Sequence, residues 1–396
     1  MSLAEAAHAP SRPTWLALDK LGVLIGVIAA AGAILPFALF RANRIVAGEP
    51  VGIIDALPGF ASGFLICLLL AGFAVALLRF AATAKLVGGF LVLAGLLVLV
   101  GQSASYLTPP GDTFARVSPG AGFWLLLFAF SLLVTDALTR LRFRPLVRIG
   151  ILITVCAAVA ALLWSGSWNS LSILKEYANR SSAFWAEART HLALAFGSVA
   201  IAAVVGIPVG ILCYKVQPLR AVVLNTLNIV QTIPSIALFG LLIAPLAWIA
   251  ANVPGATAAG ISGIGTAPAM VALFAYSLLP LVSNTVVGLQ SVSPAAIEAA
   301  KGMGMTVRQR LFQVELPLAV PVILTGVRIV LVQNIGLATI AALIGGGGFG
   351  VFVFQGIGQT AMDLVLLGAV PTVALAFAAA VVLDACVEMS SRGERP

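Results

Sequence analysis

The segment that decides the fold is "EAAKGMGMTVRQRLFQVELP", Glu298 to Pro317. It carries Glu298, Lys301, Arg308, Arg310 and Glu315, while residues 268–290 before it and 318–343 after it are apolar. Each flank is long enough to cross a bilayer as a helix, which takes about twenty residues. Local signals divide the interruption into two short helices. Ser293 can cap the first, and Pro294 suits its first helical position. "AAIEAA" favours helix, and Gly302 and Gly304 permit the left-handed backbone that ends one. Thr306 and Gln309 have the spacing of a capping box that opens the second helix. Val307, Leu311 and Val314 fall on one face of it, and Pro317 is expected to close it. A helix–turn–helix of this size outside the bilayer is either a docking knob or an amphipathic loop lying on lipid headgroups. Local pattern leaves both open.

The rest of the chain sets the class. Of 396 residues, 61% are hydrophobic and 9% charged, against roughly 25% charged in ordinary globular domains. The apolar runs are near-continuous rather than alternating, which excludes a transmembrane barrel and indicates helices. The expected fold is an all-α integral membrane protein of about ten spans: 21–40, 57–78, 86–101, 121–139, 147–165, 190–213, 221–250, 268–290, 318–343 and 364–387. The third is short. The seventh contains Pro234 and Pro245 and is expected to kink or split. The first apolar run is long enough to remain as an anchor rather than a cleaved leader. The four Cys have neither metal-ligand nor disulfide spacing.

The net charge of +8 reads as loop cations rather than a nucleic-acid surface. With the N-terminus inside, the inner segments hold Arg12, Lys20, Arg79, Lys85, Arg140, Arg142, Arg144, Arg148, Lys215, Arg220, Lys301, Arg308, Arg310, Arg392 and Arg395. The outer loops hold only Arg41, Arg44, Arg116, Lys175, Arg180 and Arg189. This bias puts both termini in the cytoplasm. Trp124, Trp164, Trp168, Trp185 and Trp248 fall near outer span ends, as an interfacial belt does. The expected organisation is a membrane extension over 1–165, an outer connector over 166–189, a five-span core over 190–390 holding the loop 291–317, and a tail over 391–396.

The loop resembles the EAA motif of ABC-importer permeases: Glu298-Ala299-Ala300, Gly304, Val314 where the family usually has Ile, and Leu316-Pro317 at the family's spacing. "QTIPSIALFGLLI" (Gln231 to Ile243), "GIPVGIL" (Gly206 to Leu212) and "ALIGGGGFGVFVFQGI" (Ala342 to Ile357) are similar to the osmoprotectant group, which imports glycine betaine, choline and carnitine. The resemblance covers about 186–390, and the extra N-terminal spans are similar to an extended branch of that group. It implies a type I permease core, with Glu298, Ala299, Ala300, Gly304, Leu316 and Pro317 coupling to an ATPase. It also implies a cytoplasmic ATPase dimer that binds ATP and Mg, and a second permease, either shorter or another copy. A periplasmic substrate-binding protein and a bacterial inner-membrane location complete the expectation.

The chain has no phosphate loop of the G-x-x-x-x-G-K-[ST] kind and is expected to be a non-catalytic subunit without its own cofactor or metal. Polar groups inside apolar helices are costly without a role. They either line a path or bond between helices. The candidates are Gln231, Thr232 and Ser235 beside Pro234, Ser283 with Asn284, and Gln333 with Asn334. Arg328 lies about 15 Å into its span at 1.5 Å per residue, placed to snorkel or to face the lumen. Gly345 to Gly348 reads as a hinge or gate. Asp363 and Asp384 read as solvated at span ends, and Glu388 with Arg392 and Asp136 with Arg140 as helix pairs. Competing readings are an ABC permease for an amino-acid-like solute and an ion-coupled secondary transporter; the latter requires mid-span carboxylates and inverted repeats. A membrane enzyme would need a metal or nucleophile cluster.

Overall fold

A computed structural model describes residues 18–43 and 46–391. Arg12, Arg44, Arg392, Arg395 and most of the expected tail lie outside the described residues. Two compact units emerge: residues up to Arg144 with Thr154–Lys175, and Pro145–Ile153 with the chain from Glu176 onward.

The first unit is built on α1 (Lys20–Ile34), α2 (Ile53–Ala56), α3 (Gly59–Leu77), α4 (Ala82–Leu107) and α5 (Ala121–Leu141). A small antiparallel sheet of β1 (Ala38–Arg41), β2 (Glu49–Val51) and β3 (Arg116–Pro119) joins them in the order β2-β1-β3. Leu39 stands opposite Pro50 on one side and Ser118 on the other. The first span was expected to reach residue 40. It stops at Ile34, because Leu35 precedes Pro36 and turns extended. The sheet was not foreseen, since strands of three and four residues leave no periodic signal.

Helix α1 is about 22 Å long, shorter than a bilayer core. Its two ends nevertheless sit level with neighbouring helix ends. The Asp19 N–H donates to the Leu77 carbonyl at 2.9 Å, and the Gly122 N–H to the Pro36 carbonyl at 2.8 Å. Glycine is required at 122, where a Cβ would come within 2.5 Å of the Gly32 and Leu35 carbonyl oxygens. The core beneath is Leu65, Leu96, Leu126, Phe130 and Leu133.

At the Asp19 end, Lys85 is not the solvated loop cation expected of it. It is 1% exposed, with its Nζ 2.7 Å from Asp19 Oδ2. Arg140 Nη2 reaches the same oxygen at 3.0 Å and also pairs with Asp136, as its spacing predicts. Burial alone would raise the Asp19 carboxyl. The Lys85 hydrogen bond, the Gly22 N–H and the charges of Lys85 and Arg140 outweigh it and hold the group at about 2.

Helix α6 (Pro145–Trp164) and α7 (Ser172–Asn179) straddle the division between units. The second unit continues with α8 (Ser181–Lys215), α9 (Gln217–Thr232), α10 (Ser235–Leu241), α11 (Ile243–Asn252) and α12 (Thr266–Gln290). Then come α13 (Pro294–Gly302), α14 (Val307–Arg310), α15 (Leu316–Leu337), α16 (Gly350–Gly358) and α17 (Met362–Ser391). The stretch 166–189 is therefore largely helical, and α8 begins nine residues before the apolar run that announces it. Helix α12 packs between α8 and α15. A Cβ at Gly210 would come 2.6 Å from that of Thr285, and one at Gly326 would come 2.8 Å from that of Asn284.

Among the described residues, nine helical segments are long and apolar enough to cross a membrane. The remaining expected span, the first, is the shorter α1. The third is longer than expected, because small polar residues past Gly101 stay helical; Ser103 Oγ bonds the Val100 carbonyl of its own helix. The seventh splits at Pro234 as expected, but Pro245 sits inside the first turn of α11. Its break falls at Leu242, because the missing N–H and the ring act on the carbonyl four residues earlier. Trp168 is a packing residue rather than part of a belt, its Nε1 donating to the Leu97 carbonyl at 2.8 Å.

Candidate functional site

The Glu298–Pro317 segment folds largely as its capping signals require. Pro294 opens α13, with Ser293 at the cap position but without a side-chain capping bond. Glu298 and Ala299 are exposed, and Ala300 is buried. Gly304 has φ +77 and ends the helix, with the Met305 N–H donating to the Ala300 carbonyl at 3.1 Å. Gly302 stays in the helix, so only one of the two glycines uses its freedom. The capping box is present: the Thr306 N–H donates to Gln309 Oε1 at 2.9 Å, and the Gln309 N–H to Thr306 Oγ1 at 3.3 Å.

Pro317 does not close the second helix. A single π-helical turn, Leu311–Glu315, links α14 to α15, and Pro317 follows it in the first turn of α15, so the helix runs on through the proline. Arg310 Nε and Glu315 Oε1 meet at 2.6 Å and strap this turn, with the Glu315 side chain 3% exposed. The wide turn also breaks the expected apolar face. Leu311 is buried with Leu289, Ala319 and Ile323, whereas Val307 is exposed. The segment therefore sits on α12 and the Ile207–Tyr214 end of α8, and presents Glu298, Met303, Val307 and Phe312 outward. Glu298 Oε1 is paired only loosely, 3.4 Å from Lys301 Nζ.

Several candidate path residues make hydrogen bonds within and between helices. Gln231 Nε2 donates to the Tyr276 carbonyl at 2.8 Å, the group left without its helical donor by Pro280. Tyr276 answers by donating to the Ile233 carbonyl at 2.5 Å, clasping the chain across the break at Pro234. Asn334 is fully buried; its Nδ2 donates to Ser198 Oγ at 2.7 Å and Ser277 Oγ at 2.8 Å, joining α8, α12 and α15. Asn284 and Ser283 both bond the Pro280 carbonyl of their own helix. Thr232 bonds the Ile229 carbonyl, and Ser235 opens α10. Gln333 is half-buried on α15.

Arg328 neither snorkels nor stands alone. Its Nη1 lies 2.5 Å from Asp384 Oδ1, and Asp384 Oδ2 lies 2.6 Å from Nη1 of Arg148, on the part of α6 that belongs to this unit. Arg148 also pairs with Glu388. Asp384 is thus the centre of an ion-pair chain across α6, α15 and α17 rather than a solvated end. Gly345, Gly347 and Gly348 all have positive φ, and the Gly348 N–H donates to Glu187 Oε2 at 2.6 Å. Sequence reading missed Glu187. It lies in the expected connector, 161 residues from its partner, and nothing local marks it.

Among the described residues, nine membrane-length helices and an exposed helix pair opened by a capping box describe a multi-pass membrane protein. Residues 206–395 match the family described as "Binding-protein-dependent transport system inner membrane component". Residues 19–174 match "ABC transporter permease YehY, N-terminal domain". The osmoprotectant import permease protein OsmW of Salmonella typhimurium is 42% identical over 194 residues, 49% of this chain and 83% of that protein. The choline transport system permease protein OpuBB of Bacillus subtilis is 34% identical over 206 residues, 52% of this chain and 86% of that one. A solved inward-facing MetNI methionine ABC transporter aligns with TM-score 0.46 at 25% identity, over 53% of this chain and 95% of that one. The chain belongs to the binding-protein-dependent transport system inner membrane component family: it is a multi-pass permease component of an ABC importer, in the inner membrane.

Proposed function

We propose that the chain is the permease subunit of an ATP-driven importer for compatible solutes, glycine betaine or a related quaternary amine, and that segment 291–317 takes up the force of an ATPase carried on separate chains. The observation that carries this is the segment itself. Glu298, Ala299 and Gly304 stand on an exposed helix pair, its second helix opened by a capping box, whose base is packed against α8 and α12. A push on such a knob is transmitted to spans rather than absorbed by a loop. The relatives' names support the substrate class. The partners are a cytoplasmic ATPase pair holding ATP and Mg, a second permease (a shorter paralogue or another copy) and a periplasmic binding protein; both termini face the cytoplasm. ATP-driven closure of the ATPases moves two such knobs and shifts the spans between outward-open and inward-open states.

Two substitutions test the coupling. Gly304→Val forces a β-branched residue into left-handed backbone, at a cost of about 1–2 kcal/mol. Nothing lies within 4 Å of the added Cβ, so the spans are undisturbed. Glu298→Lys reverses an exposed charge. Both variants are expected to reach the membrane normally, to co-purify with less ATPase and to lose uptake. Normal uptake by both would refute the coupling role.

A further inference from the structure

The turn after α15 holds Gly345, Gly347 and Gly348 at φ +75, +75 and +85. A turn of this kind curls backbone N–H groups into a concavity that receives an anion. Here the anion is the chain's own: Glu187 Oε2 accepts from the Gly348 N–H at 2.6 Å. A Cβ at 347 would stand 2.9 Å from the same oxygen and 3.1 Å from Thr190 Cγ2, so the carboxylate fills the space that glycine leaves.

A second group faces the same concavity. His191, one turn along α8 from Glu187, is fully buried, and a Cβ at Gly348 would stand 3.1 Å from its Nδ1. Its ring lies near the Ile335 backbone, but neither ring nitrogen makes a hydrogen bond of good geometry among the described residues. A buried imidazole without a partner is expensive and calls for a ligand. Beside it stand aromatic faces: the Phe349 ring is 5.0 Å from the imidazole and 5.3 Å from Phe184.

We propose that this concavity is a recognition site for the carboxylate of the transported solute, with Glu187 as the resident occupant that the substrate displaces. The incoming carboxylate takes the Gly348 N–H and a ring N–H of His191. Glu187 swings out of the concavity, and the ring faces of Phe184 and Phe349 beside it receive the quaternary ammonium group. The site therefore favours zwitterions carrying both groups over amines that lack the carboxylate. This rests on the substrate class proposed above.

The test uses the full permease assembled with its ATPase in nanodiscs, without binding protein, titrated with glycine betaine and with choline. Glu187→Gln keeps the shape of the resident side chain and removes the charge that strengthens its bond. Betaine binding is expected to tighten about tenfold, choline binding to stay the same, and His191→Phe added to Glu187→Gln to abolish the gain. In the unsubstituted complex, with only this chain isotope-labelled, betaine and not choline is expected to shift the His191 ring resonance, which is read against the chain's one other histidine, His8. This readout requires no variant to fold. Equal shifts with both compounds, no shift with either, or tightening of both by Glu187→Gln overturns the proposal. Uptake by the complete wild-type system separates this from the reading beneath it: if cells accumulate neither compound, the substrate class is wrong.

Discussion

Asn334→Leu separates a path residue from a packing residue. Leucine branches where asparagine does but is larger, so the change removes polarity, leaves no cavity and overfills a fully buried contact. Two interhelical bonds are lost, to Ser198 Oγ and Ser277 Oγ, together with a long 3.4 Å contact to the Leu273 carbonyl. Neither serine is left with an orphaned proton. Ser198 Oγ still donates to the Ala195 carbonyl at 3.2 Å, and Ser277 Oγ to the Leu273 carbonyl at 2.6 Å. Asn334 Oδ1 has no partner among the described residues, so its removal offsets part of the loss. Interhelical hydrogen bonds in membranes average about 0.6 kcal/mol, so the two lost bonds account for about 1 kcal/mol, and fitting the larger side chain adds about 1–3. Cys213 is fully buried in this unit and reports its opening through a thiol-reactive dye, once Cys67, Cys156 and Cys386 are replaced. Labelling is expected to begin at slightly lower temperature, and uptake per assembled complex to be unchanged. Loss of uptake with unaltered labelling would place Asn334 in the path and refute the packing role. A loss of more than about 4 kcal/mol would show that more than these bonds depends on it.

Two further outcomes follow from other parts of the molecule. The Asp19 carboxyl is held at about 2, below its ordinary 3.8; a depressed carboxyl contributes stability that is complete above the unfolded value and is lost as pH falls toward the folded one. Thermal stability of the solubilised protein is expected to decline as pH falls from about 4 to about 2, and Asp19→Asn to flatten that decline. Gly350→Ala would drive a Cβ to 1.8 Å from the Thr339 carbonyl oxygen, a backbone clash expected to cost about 3 kcal/mol or more. Gly240→Ala, which meets nothing within 4 Å on α10, is expected to be neutral or slightly stabilising; equal yields of the two variants would contradict the close approach at 350.

The spans, the break at Pro234 and the Thr306–Gln309 box were legible in the sequence because each depends on residues within a turn or a single apolar run. The family motif was legible for the same reason. The twenty residues from Glu298 to Pro317 carry it whole. The errors sit where a local rule met a neighbour. Pro317 reads as a terminator, yet a π-helical turn strapped by Arg310 and Glu315 carries the helix through it. Lys85 reads as a solvated cation, but Asp19, 66 residues away, pairs with it in the interior. Gln231 and Asn334 read equally well as lining or as packing, because a polar side chain in an apolar run has no direction until its neighbours are known.

The sequence by itself determined that this chain crosses a membrane many times and carries one capped, charged helix pair, since hydropathy and capping are properties of contiguous residues. Only the tertiary structure decided which polar groups are spent on holding helices together and which remain to meet something else. Arg148 and Asp384 are 236 residues apart, and Glu187 and Gly348 161. A charge buried in a span needs its counterpart within a few ångströms, and distance along the chain does not constrain where that counterpart comes from.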